Sequence, residues 1–355
     1  MTKNITTQPS SGPSGHLPPR GEGNHGFPSP LGRGEGEGPE PLQKNIPTGQ
    51  PRLSITPADR RRTRMRKMTE AVIRGGLFLA AVFSVFITVG IIGVLGFESL
   101  SFFEHVSLVE FLTSRVWTPM FTNPSYGIMP LVTGTFTVAW VALLLALPVG
   151  TVTAVYLSEY APHRLREVVK PFLELLTAVP TVVFGYFALL FVTPLLQKMI
   201  PSLPGFNMFS AGLVIGVMII PYVSSLSEDA MRAVPMSLRE ASYAAGATRF
   251  QTAFRVILPA AFSGIASAFV LGFSRAIGET MVVAIAAGMQ PNFTFNPLEP
   301  ASTITAYIVQ VSLGDLPQGS IAYQSIFAAG LTLMLMTLLF NVAGHILRKR
   351  FRETY

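Results

Sequence analysis

Six long apolar segments constrain this chain more than anything else in it. They run over Gly75–Phe97, Ile128–Leu157, Pro171–Leu196, Phe209–Leu226, Pro259–Met289 and Ile321–Leu347. Each reaches or nearly reaches the roughly 20 residues that a helix needs to cross about 30 Å of hydrocarbon. An open sheet there would leave backbone amides and carbonyls unpaired in lipid, so helices are the only option. The expected class is all-α: a polytopic membrane protein with six transmembrane helices. Pro148, Pro180, Pro194 and Pro221 fall inside these runs and are expected to kink them.

Lysine and arginine between the segments set the orientation. With the N-terminus in the cytoplasm, eighteen basic residues lie in cytoplasmic flanks against two (Arg115 and Lys198) outside. The positive-inside rule therefore predicts a multi-pass protein of the cytoplasmic membrane with both termini inside. The net charge of +7 is then topogenic and gives no support to nucleic-acid binding. There are no cysteines, and the five histidines (His16, His25, His105, His163, His345) have no ligand spacing. Disulfides are thus excluded and a metal site is not expected.

The expected organisation has four parts. Residues 1–68 form a Gly/Pro-rich tail that cannot bury enough surface to order itself, ending in the basic run Arg60–Lys67. A start at Met65 or Met68 would omit most of it. Residues 69–127 hold the first transmembrane helix and an external loop, 128–347 a five-helix core, and 348–355 a basic cytoplasmic tail.

The most informative loop lies at 237–259, "SLREASYAAGATRFQTAFRVILP". Ser237-x-x-Glu240 and Thr248-x-x-Gln251 both have capping-box spacing, and Gly246 sits between them where a helix end favours a left-handed residue. The local code is helix, Gly turn, helix, with Pro259 starting the next span. An amphipathic hairpin lying on lipid headgroups is one use of such a loop. Glu240-Ala241-Ser242, Gly246 and Val256-Ile257-Leu258-Pro259 also resemble the EAA loop of binding-protein-dependent ABC importer permeases, with Ser242 and Val256 as small departures. The resemblance implies that the two helices dock on an ATPase subunit. Glu240, Ala241, Gly246, Arg249, Leu258 and Pro259 would then be the coupling residues.

Two charges sit deep in the fifth apolar run: Arg275 and Glu279, in "SRAIGETMVV". A charge at mid-bilayer costs about 3 kcal/mol on insertion scales. On one helix, residues four apart share a face, together with Ser274 and Thr280 nearby. An internal ion pair, a salt bridge to a second subunit and a place in a permeation path all remain open. The ridge Gly264, Ala268, Gly272, Ala276, Thr280, Ala284, Gly288 is expected to let neighbouring helices pack closely. Glu174, about one turn inside the third segment, is expected to make a buried structural hydrogen bond. Glu228 and Asp229, beside Arg232, are expected to form a solvated polar cluster.

Within the importer family, "SEDAMRAVPMSLREAS" (Ser227–Ser242), "SRAIGETMVVAIAAG" (Ser274–Gly288) and "TAYIVQVSLGD" (Thr305–Asp315) resemble the PstC-type permeases of phosphate importers. The resemblance runs from about Ile128 to the C-terminus. It implies an ABC permease fold and a role as one half of an ATP-driven channel for inorganic phosphate. The implied partners are a homologous PstA-type permease, an ATPase dimer, an external phosphate-binding protein and membrane lipid, with no nucleic acid. No Gly-x4-Gly-Lys-Ser/Thr motif occurs, so the chain is not expected to hydrolyse ATP. The resemblance implies a transporter subunit rather than an enzyme, with no cofactor in this chain and ATP bound by the partner ATPase. Arg275 would attract phosphate, while Glu279 would accept the O–H that hydrogen phosphate carries and fully ionised sulfate lacks. Permeases for another oxyanion (molybdate or sulfate) are the alternative, and a membrane enzyme using Glu279 as acid or base a more distant one.

Overall fold

The computed structural model describes residues 57–314 and 316–350. The Gly/Pro-rich stretch up to residue 56 and the last five residues of the basic tail lie outside the described residues. The chain divides after Ala71 into two compact units; the first contributes helix from Pro57 onward with an exposed Arg66–Glu70 ion pair (2.9 Å), and the second holds everything that follows.

Described residues are almost entirely helical. The order begins with α1 (Pro57–Phe103), α2 (Leu108–Thr113) and α3 (Met129–Val155), the last continued by a π-turn to Tyr160. Then come α4 (His163–Ala178), α5 (Thr181–Phe187) and α6 (Thr193–Met199), the last two joined through a π-turn, and α7 (Met208–Arg232). A hairpin follows: α8 (Met236–Ala244), α9 (Arg249–Thr252) and, after a third π-turn, α10 (Leu258–Ala260). The chain closes with α11 (Phe262–Ile277), α12 (Met281–Ala286), α13 (Ile304–Ser312) and α14 (Ile321–Arg350).

Among the described residues, five helices are long and apolar enough to cross a membrane, or six if a pair bent by 70° at Ala261 is one span. The six expected segments are all present, but two of their outlines change. The third begins at Thr181 rather than Pro171, because Pro180 breaks the backbone and residues 163–178 form a separate amphipathic helix. Glu174 consequently lies exposed on α4, and the buried hydrogen bond expected of it does not exist. The fifth segment is not one helix from Pro259: Pro259 belongs to α10, the span starts at Phe262, and the helix stops again at Ile277.

Small residues hold the second unit together. The core is α3 against α7, where a Cβ added to Gly212 would lie 2.6 Å from Val141 and one on Gly216 would lie 2.8 Å from the Ala142 carbonyl. The first part of the α11 ridge does the same work. Gly264 faces Ala230 of α7 (2.4 Å from an added Cβ), and Gly272 faces Val223 (3.1 Å). In lipid, where no hydrophobic force draws apolar helices together, such close backbone approach supplies the packing. The buried strip Ala139, Ala142, Ala146, Ala211, Ile215 and Ile219 fills the seam. By contrast α1 is bare along its apolar length, with Leu77, Phe78, Phe83 and Phe86 all exposed. At the far end from α8–α10, Trp117 and Tyr307 meet edge to face at 5.0 Å within an aromatic cluster that includes Phe102, Phe111 and Tyr126.

Candidate functional site: a coupling hairpin and a broken helix

The α8–α9 hairpin is closed by chemistry legible in its sequence. Gly246 has φ +82°, a conformation that costs other residues a Cβ clash with their own backbone. Gly246 N–H donates to Tyr243 O (2.9 Å) and Ala247 N–H to Ser242 O (3.1 Å), the paired bonds of a Schellman turn. Thr248 and Gln251 form the expected reciprocal capping box. A Ser242–Thr252 hydroxyl contact (2.9 Å) pins the two helices together. The other expected box is absent: α8 begins at Met236 behind Pro235, so Ser237 and Glu240 already lie inside the helix.

Of the coupling residues, Glu240, Ala241, Gly246, Arg249 and Pro259 are exposed and Leu258 is half-buried. Nothing lies within 4 Å of a Cβ built on Gly246, so that turn faces open space. Tyr243, Phe250 and Phe254 are also exposed, the two phenylalanines 4.5 Å apart. Aromatics left bare beside Arg249 have the composition of an interface centre.

Two ion-pair systems at this end of the bundle are built largely from partners distant in sequence. Arg239 of α8 donates from Nη1 to both oxygens of Glu159 (2.6 Å each), and its Nη2 donates to Met231 O (2.8 Å). Both side chains are largely shielded from solvent, at 13% and 6% exposure. The pair ties the hairpin to the end of α3, eighty residues earlier in the chain. Glu228 is not solvated: it is wholly buried on α7, with Arg166 Nε at 3.3 Å, Lys170 Nζ at 3.5 Å and Arg232 Nη1 at 3.7 Å. Three cations around one carboxylate make that burial tolerable. Asp229 is the partly exposed member; its hydrogen bond to Lys170 (2.8 Å) holds that ammonium above its usual range.

The break in the fifth segment decides the fate of Arg275 and Glu279. Gly278 weakens the helix, and the side chains of Glu279 and Thr280 compete for backbone partners of their own. Glu279 Oε1 accepts from Met281 N (3.2 Å) and Val282 N (3.3 Å), so the carboxylate caps α12. Its carbonyl accepts from Thr305 Oγ1 of α13 (2.7 Å). Thr280 Oγ1 turns back to Gly278 O (3.3 Å). Arg275 and Glu279 therefore do not share a continuous helix face, and among the described residues they form no ion pair.

Arg275 occupies the last turn of α11, where a cation suits the helix dipole. It is exposed, with its guanidinium 5.9 Å from the Tyr222 ring of α7 and no carboxylate partner among the described residues. Ser274 donates to Asn341 Oδ1 of α14 (3.0 Å). The structure thus turns Arg275 toward Tyr222 of α7 and its neighbour Ser274 toward Asn341 of α14, with Glu279 nearby in sequence but buried at 8% exposure. Sequence reasoning missed Tyr222 and Asn341, since long-range contacts leave no local pattern. The cap was there to be read: Gly-Glu-Thr before an apolar run is a helix stop followed by a helix start. Among the described residues no group of acidic or histidine side chains could hold a metal ion.

A family model described as "Binding-protein-dependent transport system inner membrane component" matches residues 146–353. The chain is 36% identical over 283 residues to the "Probable ABC transporter permease protein YqgH" of Bacillus subtilis, covering 78% of this chain and 91% of that protein. It is 31% identical over 262 residues to the "Phosphate transport system permease protein PstC" of Xylella fastidiosa, covering 68% and 79%. Among solved structures, a bacterial alginate ABC transporter in complex with alginate pentasaccharide-bound periplasmic protein superposes with a TM-score of 0.57 at 19% identity, covering 81% of this chain and 98% of that one. That likeness speaks for the fold. The family match, supported by these relatives and by the capped Gly246 hairpin, makes the chain a multi-pass member of the binding-protein-dependent transport system inner membrane components, a permease subunit of an ABC importer.

Proposed function

We propose that this permease is the PstC-type half of an importer that moves inorganic phosphate across the cytoplasmic membrane. The observation that carries the substrate is its relationship to the PstC protein, joined to an Arg275 guanidinium that is exposed and has no carboxylate partner among the described residues. Guanidinium is permanently charged and offers a planar fork that fits phosphate oxygens in pairs. The break between α11 and α12 gives the path non-helical backbone, which membranes tolerate where it lines a cavity. Glu279 spends Oε1 on the α12 cap. In this proposal Oε2 accepts a hydrogen bond from the O–H of hydrogen phosphate, a donor that sulfate lacks.

The partners follow from what the family needs and this chain lacks. A homologous PstA-type permease completes the channel. An ATPase dimer receives the α8–α9 hairpin, and an external phosphate-binding protein delivers the ion. The basic flanks support a cytoplasmic hairpin and two cytoplasmic termini. ATPase closure then pulls Tyr243, Phe250 and Arg249, and the buried Arg239–Glu159 pair passes the movement to α3.

ATP hydrolysis by the reconstituted complex tests the proposal, measured with the external binding protein loaded in turn with phosphate, sulfate and molybdate. Stimulation by the phosphate-loaded form alone is expected. Equal stimulation by sulfate or molybdate carriers would assign the permease to another oxyanion.

A further inference from the structure

Toward α10 from Arg275, α11 and α14 flank a groove lined in part by polar side chains. The helices touch where a Cβ added to Gly344 would lie 2.4 Å from a Val270 methyl. Beside that contact is a groove of about 220 Å³ whose polar lining is Ser267, Asn341, His345 and Arg348. A wider one of about 510 Å³ shares three of those residues and adds Ser263 and Lys349. Ser263, Ser267 and Ser274 fall on one face of α11, and Asn341, His345 and Arg348 on one face of α14. The groove thus runs from the Ser274–Asn341 hydrogen bond toward the end of the bundle that carries α8–α10.

Its chemistry is that of an anion site without the anion's protein counterpart. Arg348 Nη2 donates to His345 Nδ1 (2.8 Å), and Nη1 lies 3.5 Å from Ser267 Oγ. A guanidinium only donates, so Nδ1 is the acceptor and the ring proton sits on Nε2, leaving His345 a further donor. Arg348 and Lys349 bring two positive charges. No carboxylate lines either groove, and among the described residues no ion pair involves Arg348. Two cations clustered with an imidazole donor at the mouth between two apolar helices suit a phosphate oxyanion.

We propose that this groove binds a phosphate group, with Arg348 and Lys349 supplying charge, His345 supplying a further donor, and Ser267, whose hydroxyl donates to Ser263 O (2.8 Å), helping to position Arg348. Two sources offer that chemistry: the headgroup of an anionic phospholipid, and inorganic phosphate on its way out of the path. The second source rests on the phosphate-import proposal above; the first does not.

The test uses the full-length chain assembled with its partner subunits, as wild type and as Arg348→Lys and Ser267→Ala. Arg348→Lys keeps the charge that orients α14 but loses the fork, and membrane level reports folding. One probe is retention of phosphatidylglycerol against phosphatidylcholine by native mass spectrometry; the other is equilibrium dialysis of labelled inorganic phosphate. Binding of one probe should weaken about tenfold in Arg348→Lys, the effect of one charge-assisted hydrogen bond, and more mildly in Ser267→Ala. Loss confined to the lipid probe assigns a headgroup, and loss confined to the ion assigns exiting phosphate. Unchanged binding of both probes in both variants overturns the site, as does a wild type that binds neither. Uptake measured on the same preparations separates the two proposals, because a wild type that holds lipid in the groove yet imports no phosphate defeats only the import proposal.

Discussion

Removing Arg239 should expose how the coupling hairpin is held. Its guanidinium reaches both Glu159 oxygens at 2.6 Å, and Glu159 is only 6% exposed. Arg239→Gln leaves that carboxylate buried without its cation, a change that costs about 3–5 kcal/mol in comparable pairs. The Met231 carbonyl also loses its donor at 2.8 Å, worth about 1 kcal/mol more. Glu159→Gln is expected to be milder, since Arg239 keeps its bond to Met231 and its cationic stem can reach water. Combining the two removes both charges, so most of the stability should return. The assay is unfolding of the purified complex in detergent at matched lipid content, followed by tryptophan fluorescence, alongside ATPase activity. The double variant should fold near wild-type stability yet respond less to the loaded binding protein, because the rigid link from α8 to α3 is gone. Single-variant losses below about 1 kcal/mol, the scale of an exposed pair, would refute the reasoning. So would a double variant as unstable as the sum of its parts.

The remaining predictions concern the hairpin, the helix break and the α11 ridge. Gly246→Asn should be tolerated and Gly246→Val should cost about 1–2 kcal/mol, since open space surrounds the Cβ position and only the left-handed backbone objects; Gly246→Arg should insert normally but lose binding-protein-stimulated ATPase. Arg275→Lys should cut phosphate uptake while leaving melting temperature unchanged, and adding Glu279→Gln to Arg275→Gln should not restore uptake, because the two residues do not pair. Glu279→Ala should cost about 1 kcal/mol of stability through the lost cap; Glu279→Gln should keep the cap and admit sulfate, read as labelled-sulfate uptake against phosphate. Gly264→Leu should destabilise by about 1–3 kcal/mol, because Ala230 sits 2.4 Å from the first added carbon; an unchanged melting temperature would contradict the α7–α11 packing.

What the sequence made legible follows the range of each interaction. The apolar segments, the Gly246 turn and the Thr248–Gln251 box are local, and all appear in the structure. The Ser237–Glu240 box has the right spacing but fails, because Pro235 starts the helix two residues earlier than a Ser237 cap would. Arg275 and Glu279 were assigned one face because apolar periodicity ignores a single glycine; Gly278 and the capping carboxylate of Glu279 end that helix. Glu228 looked like surface because its neighbours in sequence are polar, whereas Arg166 and Lys170 reach it from α4, about sixty positions away. Tyr222 meets Arg275 and Asn341 meets Ser274 only through tertiary packing, which no spacing rule reveals.

Uptake of labelled phosphate into proteoliposomes tests the central claim most directly. The vesicles would hold the full-length chain with its partner permease and ATPase, ATP inside, and the external binding protein outside. Phosphate should accumulate only with ATP and binding protein together, excess sulfate should not compete, and Arg275→Lys should lower the rate at equal protein content. Accumulation of sulfate at the same rate, or phosphate uptake indifferent to Arg275→Lys, would contradict the account.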